Sequence, residues 1–132
     1  MKIQYTFLFL LSLLIACTPK IKDAGVDYFA QAEALKVSTD SIQLTIKDAL
    51  QNLREERNSI MVQGRALTEK ELAFIDGVNV IIADYGKFQA YQDDIAKSED
   101  AYEPNGKELL YLNKQANQLI KQIQKKIAKL KK

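Results

Sequence analysis

Apolar residues recur at alternating steps of four and three along most of the chain beyond residue 26. This spacing places side chains on one face of an α-helix, whereas a half-buried strand would alternate at every second residue. The first such segment predicts a helix over 26–62, in which only Thr39 and Glu56 interrupt the apolar stripe. The stripe consists of Tyr28, Ala32, Leu35, Thr39, Ile42, Ile46, Ala49, Leu53, Glu56 and Ile60.

Capping residues predict where a second helix begins. Gly64 is a suitable residue to follow the first helix, because glycine tolerates the left-handed conformation found there. Thr68-Glu69-Lys70-Glu71 has the sequence of a capping box, in which the side chains of Thr68 and Glu71 each accept a hydrogen bond from the other's backbone amide. We therefore predict a helix over 69–97, with a packing stripe formed by Leu72, Ile75, Val78, Ile82, Tyr85 and Phe88 or Gln89.

A loop containing Pro104 separates the second helix from a third. Asn105 is a candidate cap for this helix, predicted over 107–131, whose stripe is Leu109, Leu112, Ala116, Leu119, Ile123, Ile127 and Leu130. Three helices joined by short loops must alternate in direction to share one core. The sequence therefore predicts an all-α fold, an elongated antiparallel up-down-up three-helix bundle over 26–132. The alternative is a long helical hairpin that pairs with a second copy.

The first seventeen residues differ in character from the rest. Met1 and Lys2 precede an apolar run over 5–16, which is typical of a signal peptide and shorter than the roughly 18 residues that span a bilayer. Leu14-Ile15-Ala16-Cys17 resembles the lipobox of bacterial lipoproteins. That resemblance implies cleavage after residue 16, a covalent lipid on Cys17 and a lipidated tether over 17–25. Because Thr18 follows the cysteine where aspartate would favour inner-membrane retention, it also implies the outer membrane, facing the periplasm.

The composition argues against several kinds of active site. The chain has no histidine and one cysteine, so it lacks the commonest metal ligand and the usual Ser/His and Cys/His pairs. Adjacent acidic residues such as Asp93 and Asp94 do not face one another on a helix and would not converge on one metal ion. We therefore expect no enzyme, no metal and no cofactor other than the lipid on Cys17, and the sequence identifies no small-molecule substrate. The balance of 19 basic against 17 acidic residues argues against nucleic acid as a partner.

The third predicted helix is strongly basic. No acidic residue follows Glu108, whereas seven lysines do. Cations near a helix C-terminus complement the helix dipole, but this explanation does not reach back to Lys114 or Lys121. A contact with an anionic surface is therefore predicted for Lys121, Lys125, Lys126, Lys129, Lys131 and Lys132.

Two further resemblances concern the mature chain. A lipobox followed by a helical body is similar to small bacterial lipoproteins labelled after the viral A-type inclusion protein, a group without an established function. The matching segments are Val80 to Phe88 (VIIADYGKF) and Tyr111-Leu112-Asn113. The final lysine resembles that of the major murein lipoprotein, which implies that the Lys132 amine is joined to the cell wall.

These observations predict a lipid-anchored helical envelope protein that acts as a non-catalytic binding or structural module. Its expected partners are the membrane, through the lipid on Cys17, and another envelope protein or cell-wall component. The alternative function is a tether to the cell wall or to an anionic surface through the lysine-rich third helix.

Overall fold

The computed structural model describes residues 27–131, and these form three helices and no strand. The helices are α1 (Tyr28–Met61), α2 (Glu69–Glu99) and α3 (Gly106–Leu130). The all-α, three-helix fold class is confirmed. The predicted signal peptide, Cys17, the tether over 17–25 and residue 26 lie outside the described residues, as does Lys132.

Side-chain caps define where each helix begins. The carboxylate of Asp27 accepts from the amide of Ala30 at 3.0 Å, so α1 begins at Tyr28. The capping box predicted before α2 is confirmed: the Thr68 hydroxyl accepts from the Glu71 amide at 3.2 Å, and the Glu71 carboxylate accepts from the Thr68 amide at 2.8 Å.

The remaining turns also follow the sequence. Asn105 caps α3 by accepting from the amides of Lys107 and Glu108 at 3.1 and 3.2 Å, as its position predicts. Gly64, in the loop between α1 and α2, has a φ of +64°, a conformation that glycine adopts without steric cost.

Helix α3 is the central element of the bundle. It packs extensively against both α1 and α2, whereas α1 and α2 make few contacts with each other. Because it has two neighbours, α3 buries a wider face than the single predicted stripe. Leu110, Asn113, Asn117 and Ile120 are buried in addition to stripe residues such as Ile123.

Cross-helix contacts give the directions of the helices. Along α1 the partners in α2 run backwards: Lys36 pairs with Glu99, and Arg57 pairs with Asn79. Partners in α3 run forwards, since Tyr28 lies against Gly106 and Thr39 bonds Asn117. At these contacts α2 therefore runs opposite to α1, and α3 runs in the same direction as α1.

All three helices contribute residues to the core, and two details of α2 differ from its predicted stripe. Ile81 is almost fully buried although the stripe assigned Ile82 instead, which is only partly buried. Leu72 was predicted to pack but is 49% exposed. The reason is the length of α3: its last residue, Leu130, lies against Gly77, so the first turn of α2 extends beyond the end of α3.

Candidate binding surface

The outward side of α3 carries five exposed lysines, with Tyr111 and Gln118 between them. Each residue of an α-helix is rotated by about 100° from the one before it, so the seven side chains on this side lie within about 80° of one another around the helix axis. We call this surface the lysine face; it consists of Lys107, Tyr111, Lys114, Gln118, Lys121, Lys125 and Lys129, all of which are exposed. It lies opposite the buried side of α3 and extends about 33 Å along the helix.

The six lysines predicted to contact an anionic surface do not all lie on the same side of α3. Lys121, Lys125 and Lys129 belong to the lysine face. Lys126 instead lies at the flank of α3, where its ammonium donates to the carboxylate of Asp84 on α2. Lys131 is the C-cap residue of α3, and Lys132 lies outside the described residues.

Two lysines of the lysine face, Lys107 and Lys114, are not in the predicted set. Lys107 and Lys114 precede the lysine-rich end but share its angular position, because positions 107, 114 and 121 are separated by seven residues each, close to two helical turns. The seven-residue spacing was the available signal. A count of charges near the C-terminus does not give the side of the helix on which each lysine lies.

Helices α2 and α3 differ in charge. Helix α2 carries seven acidic and three basic side chains, whereas α3 carries one acidic and six basic ones. The single acidic residue of α3, Glu108, lies outside the angular range of the lysine face. Helix α3 therefore carries a net positive charge, whereas α2 carries a net negative one.

Polar side chains connect α1 to α2, whose backbones make few close contacts with each other. The ammonium of Lys36 donates to Glu99 at 2.8 Å, and this hydrogen bond raises the pKa of Lys36. Gln43 donates to the Tyr85 hydroxyl at 2.9 Å and accepts from Gln92 at 2.9 Å. These bonds hold α1 and α2 at a fixed spacing over α3.

A cleft of about 460 Å³ lies at the end of the bundle where α1 begins and α2 ends. Its lining includes the carboxylates of Asp27, Glu33 and Glu99 together with the apolar side chains of Phe29 and Leu109. The cleft is therefore acidic, opposite in sign to the lysine face.

The described residues hold no group of three or more His, Cys, Asp or Glu side chains placed to bind a metal ion. None of the three helices between residues 27 and 131 is both long enough and apolar enough to cross a membrane. No family model, curated protein or solved structure matches the chain.

Proposed function

We propose that this protein is a lipid-anchored module of the bacterial cell envelope that works by binding, without catalysis, and that its binding surface is the lysine face. One observation carries the proposal. Helix α3 is buried against both other helices, and five of the eleven residues that it leaves exposed are lysines on one side of the helix. Such a concentration of one charge favours an anionic partner.

The anchor in this proposal is supported by the sequence before the bundle. The apolar run over 5–16 and the Leu14-Ile15-Ala16-Cys17 segment resemble a lipoprotein signal, and Cys17 is the only cysteine in the chain. Two or three acyl chains would hold the protein firmly, because each buried CH₂ contributes about 0.8 kcal/mol. The proposed location is the outer membrane, facing the periplasm.

The intact mass and membrane partition of the expressed protein test the anchor. We expect the native chain to begin at Cys17, to carry added acyl mass and to remain with the membrane fraction. The matched variant Cys17→Ser should be neither lipidated nor cleaved at this site. If the native chain retains residues 1–16 and carries no lipid, the anchor is wrong.

Crosslinking in cells tests the binding surface separately. A photoreactive amino acid at Gln118, in the middle of the lysine face, should give crosslinks that the same group at Ser41 does not give. Ser41 is exposed on the side of α1 that points away from its buried residues. Identical products from both positions would contradict a specific role for the lysine face.

A further inference from the structure

We infer that the lysine face lies flat against the anionic phosphate head groups of the membrane that holds the anchor. This inference rests on the proposed lipid anchor and names the partner of the same surface. It also assigns an orientation, with the long axis of α3 parallel to the membrane and α1 and α2 on the side away from the lipid.

The lysine face begins at the end of the bundle from which the tether leaves. Gly106 lies against Tyr28 and Phe29, and the ammonium of Lys107 lies 5.7 Å from the centre of the Tyr28 ring. The nine residues 18–26 connect Tyr28 and Asp27 to the lipidated position and span at most about 30 Å. The Lys107 end of the lysine face therefore remains within one tether length of the head groups.

Only a flat orientation brings the other lysines into contact with the lipid. Lys114 lies about 10 Å beyond Lys107 along the axis, and Lys129 lies about 33 Å beyond it. Electrostatic attraction to a surface decays over about 8 Å at physiological ionic strength. An upright bundle would leave Lys114, Lys121, Lys125 and Lys129 screened, whereas a flat one places these four lysines at the head groups.

The neutral residues of the lysine face fit the same partner. Tyr111 is 58% exposed between Lys107 and Lys114, and aromatic rings with a polar tip are favoured at the boundary between lipid and water. The flank is compatible as well, because the carboxylate of Asp84 is paired with Lys126 and does not present an unpaired negative charge to the membrane.

Site-specific labels on the mature lipidated protein test this orientation. With Cys17 acylated, a cysteine introduced by Gln118→Cys or by the control Ser41→Cys is the only free thiol for a fluorophore. Each protein is reconstituted into vesicles of phosphatidylcholine alone or mixed with phosphatidylglycerol, with a quencher attached to the lipid head groups. We expect strong quenching at position 118 in the mixed vesicles, weak quenching at 118 in the neutral vesicles, and weak quenching at 41 in both.

Charge variants show whether the lysines cause the orientation. Replacing Lys114, Lys121 and Lys125 by Gln should shift the equilibrium away from the membrane by on the order of a hundredfold, at about fivefold per lysine. The same loss of charge through Lys47→Gln, Lys70→Gln and Lys97→Gln, all at exposed positions of α1 and α2, should leave the quenching unchanged.

Several outcomes would overturn the inference. Equal quenching at positions 118 and 41 would exclude the flat orientation. Equal quenching at position 118 in vesicles with and without phosphatidylglycerol would exclude it as well. Loss of quenching at 118 when purified cell-wall material is added would assign the lysine face to a wall polymer instead. Failure of the anchor is distinguishable, because an unlipidated protein would not remain with the neutral vesicles at all.

Discussion

The side-chain amide of Asn117 on α3 donates to the hydroxyl of Thr39 on α1 at 3.1 Å, in the buried interface between the two helices. The Thr39 hydroxyl in turn donates to the carbonyl of Leu35 at 2.8 Å. Each of the two polar side chains therefore has a partner although both are at least 95% buried. This pairing favours one register between α1 and α3, because a shift by one residue would take the Thr39 hydroxyl away from the buried amide of Asn117.

Removing only the hydroxyl of Thr39 should destabilise the fold. Thr39→Val keeps the shape of the side chain but leaves the Asn117 amide with only a 3.4 Å contact to Ser38, so we expect the free energy of unfolding to fall by about 1–3 kcal/mol. Asn117→Leu should cost less, since Thr39 still bonds Leu35. The double variant should be more stable than the sum of the two losses implies.

Urea denaturation followed by circular dichroism measures these differences. Thr45→Val is the matched control, because the Thr45 hydroxyl also bonds a carbonyl of its own helix but is exposed. The control should change stability by less than about 0.5 kcal/mol. Strict additivity of the Thr39 and Asn117 variants would show that the two side chains are not coupled.

Thr39 also shows where sequence reasoning succeeded and where it stopped. Periodicity placed it on the packing side of α1, and it is buried there. Its partner could not be foreseen, because Asn117 belongs to a second buried strip on α3 that exists only because α3 contacts two helices. A pattern of one apolar stripe per helix does not reveal which helix will be central.

The candidate site was predictable in the same partial way. The sequence located the basic charge on the third helix and included Lys121, Lys125 and Lys129. The position of each residue around the axis of α3 separates the members of the lysine face from Lys126. This position follows from the spacing of the lysines in the sequence. The pairing of Lys126 with Asp84 could not, because it depends on the register between α2 and α3.

The two glycines inside α2 should respond differently to alanine. At Gly86 an added methyl group meets nothing within 4 Å, so Gly86→Ala should stabilise the protein by roughly 0.5–1 kcal/mol through helix propensity. At Gly77 the methyl carbon would lie 2.9 Å from a terminal carbon of Leu130. Leu130 must then move, and this cost should cancel most of the gain.

Thermal unfolding of the two variants side by side tests this contrast. The variant Gly77→Ala combined with Leu130→Ala removes the clash while keeping the added methyl group. We expect Gly77→Ala to be stabilising in that background relative to Leu130→Ala alone. A gain at Gly77 equal to that at Gly86 in the native background would contradict the contact with Leu130.

The cap of α2 should make stability depend on pH in the acid range. The hydrogen bond from Arg65, followed by that from the Thr68 amide, lowers the pKa of Glu71 from 4.5 to about 2. A carboxyl whose pKa is lower in the folded state stabilises the fold above its unfolded pKa. This contribution should therefore decline as the pH falls from about 4.5 to about 2.

Glu71→Gln isolates that contribution. The variant should be less stable than the native protein at neutral pH, and the difference should shrink as the pH falls from about 4.5 through about 2. Glu69→Gln, an exposed change in the same turn, serves as the control. A difference for Glu71→Gln that stays constant across the acid range would show that the ionised carboxylate is not the stabilising group.

Neighbouring lysines on α3 should separate folding from binding. Lys126 is paired with Asp84, and its side chain is 44% exposed, so Lys126→Gln should lower the free energy of unfolding by no more than about 1 kcal/mol. Because Lys126 lies outside the lysine face, the quenching at position 118 on anionic vesicles should change little. Lys125→Gln should do the reverse, with unchanged stability and about fivefold weaker association with the lipid.

Both variants remove one positive charge from adjacent positions, so a difference between them in the vesicle measurement cannot come from net charge. Equal effects of Lys125→Gln and Lys126→Gln on lipid association would mean that the total charge of α3 matters and that its arrangement on the lysine face does not.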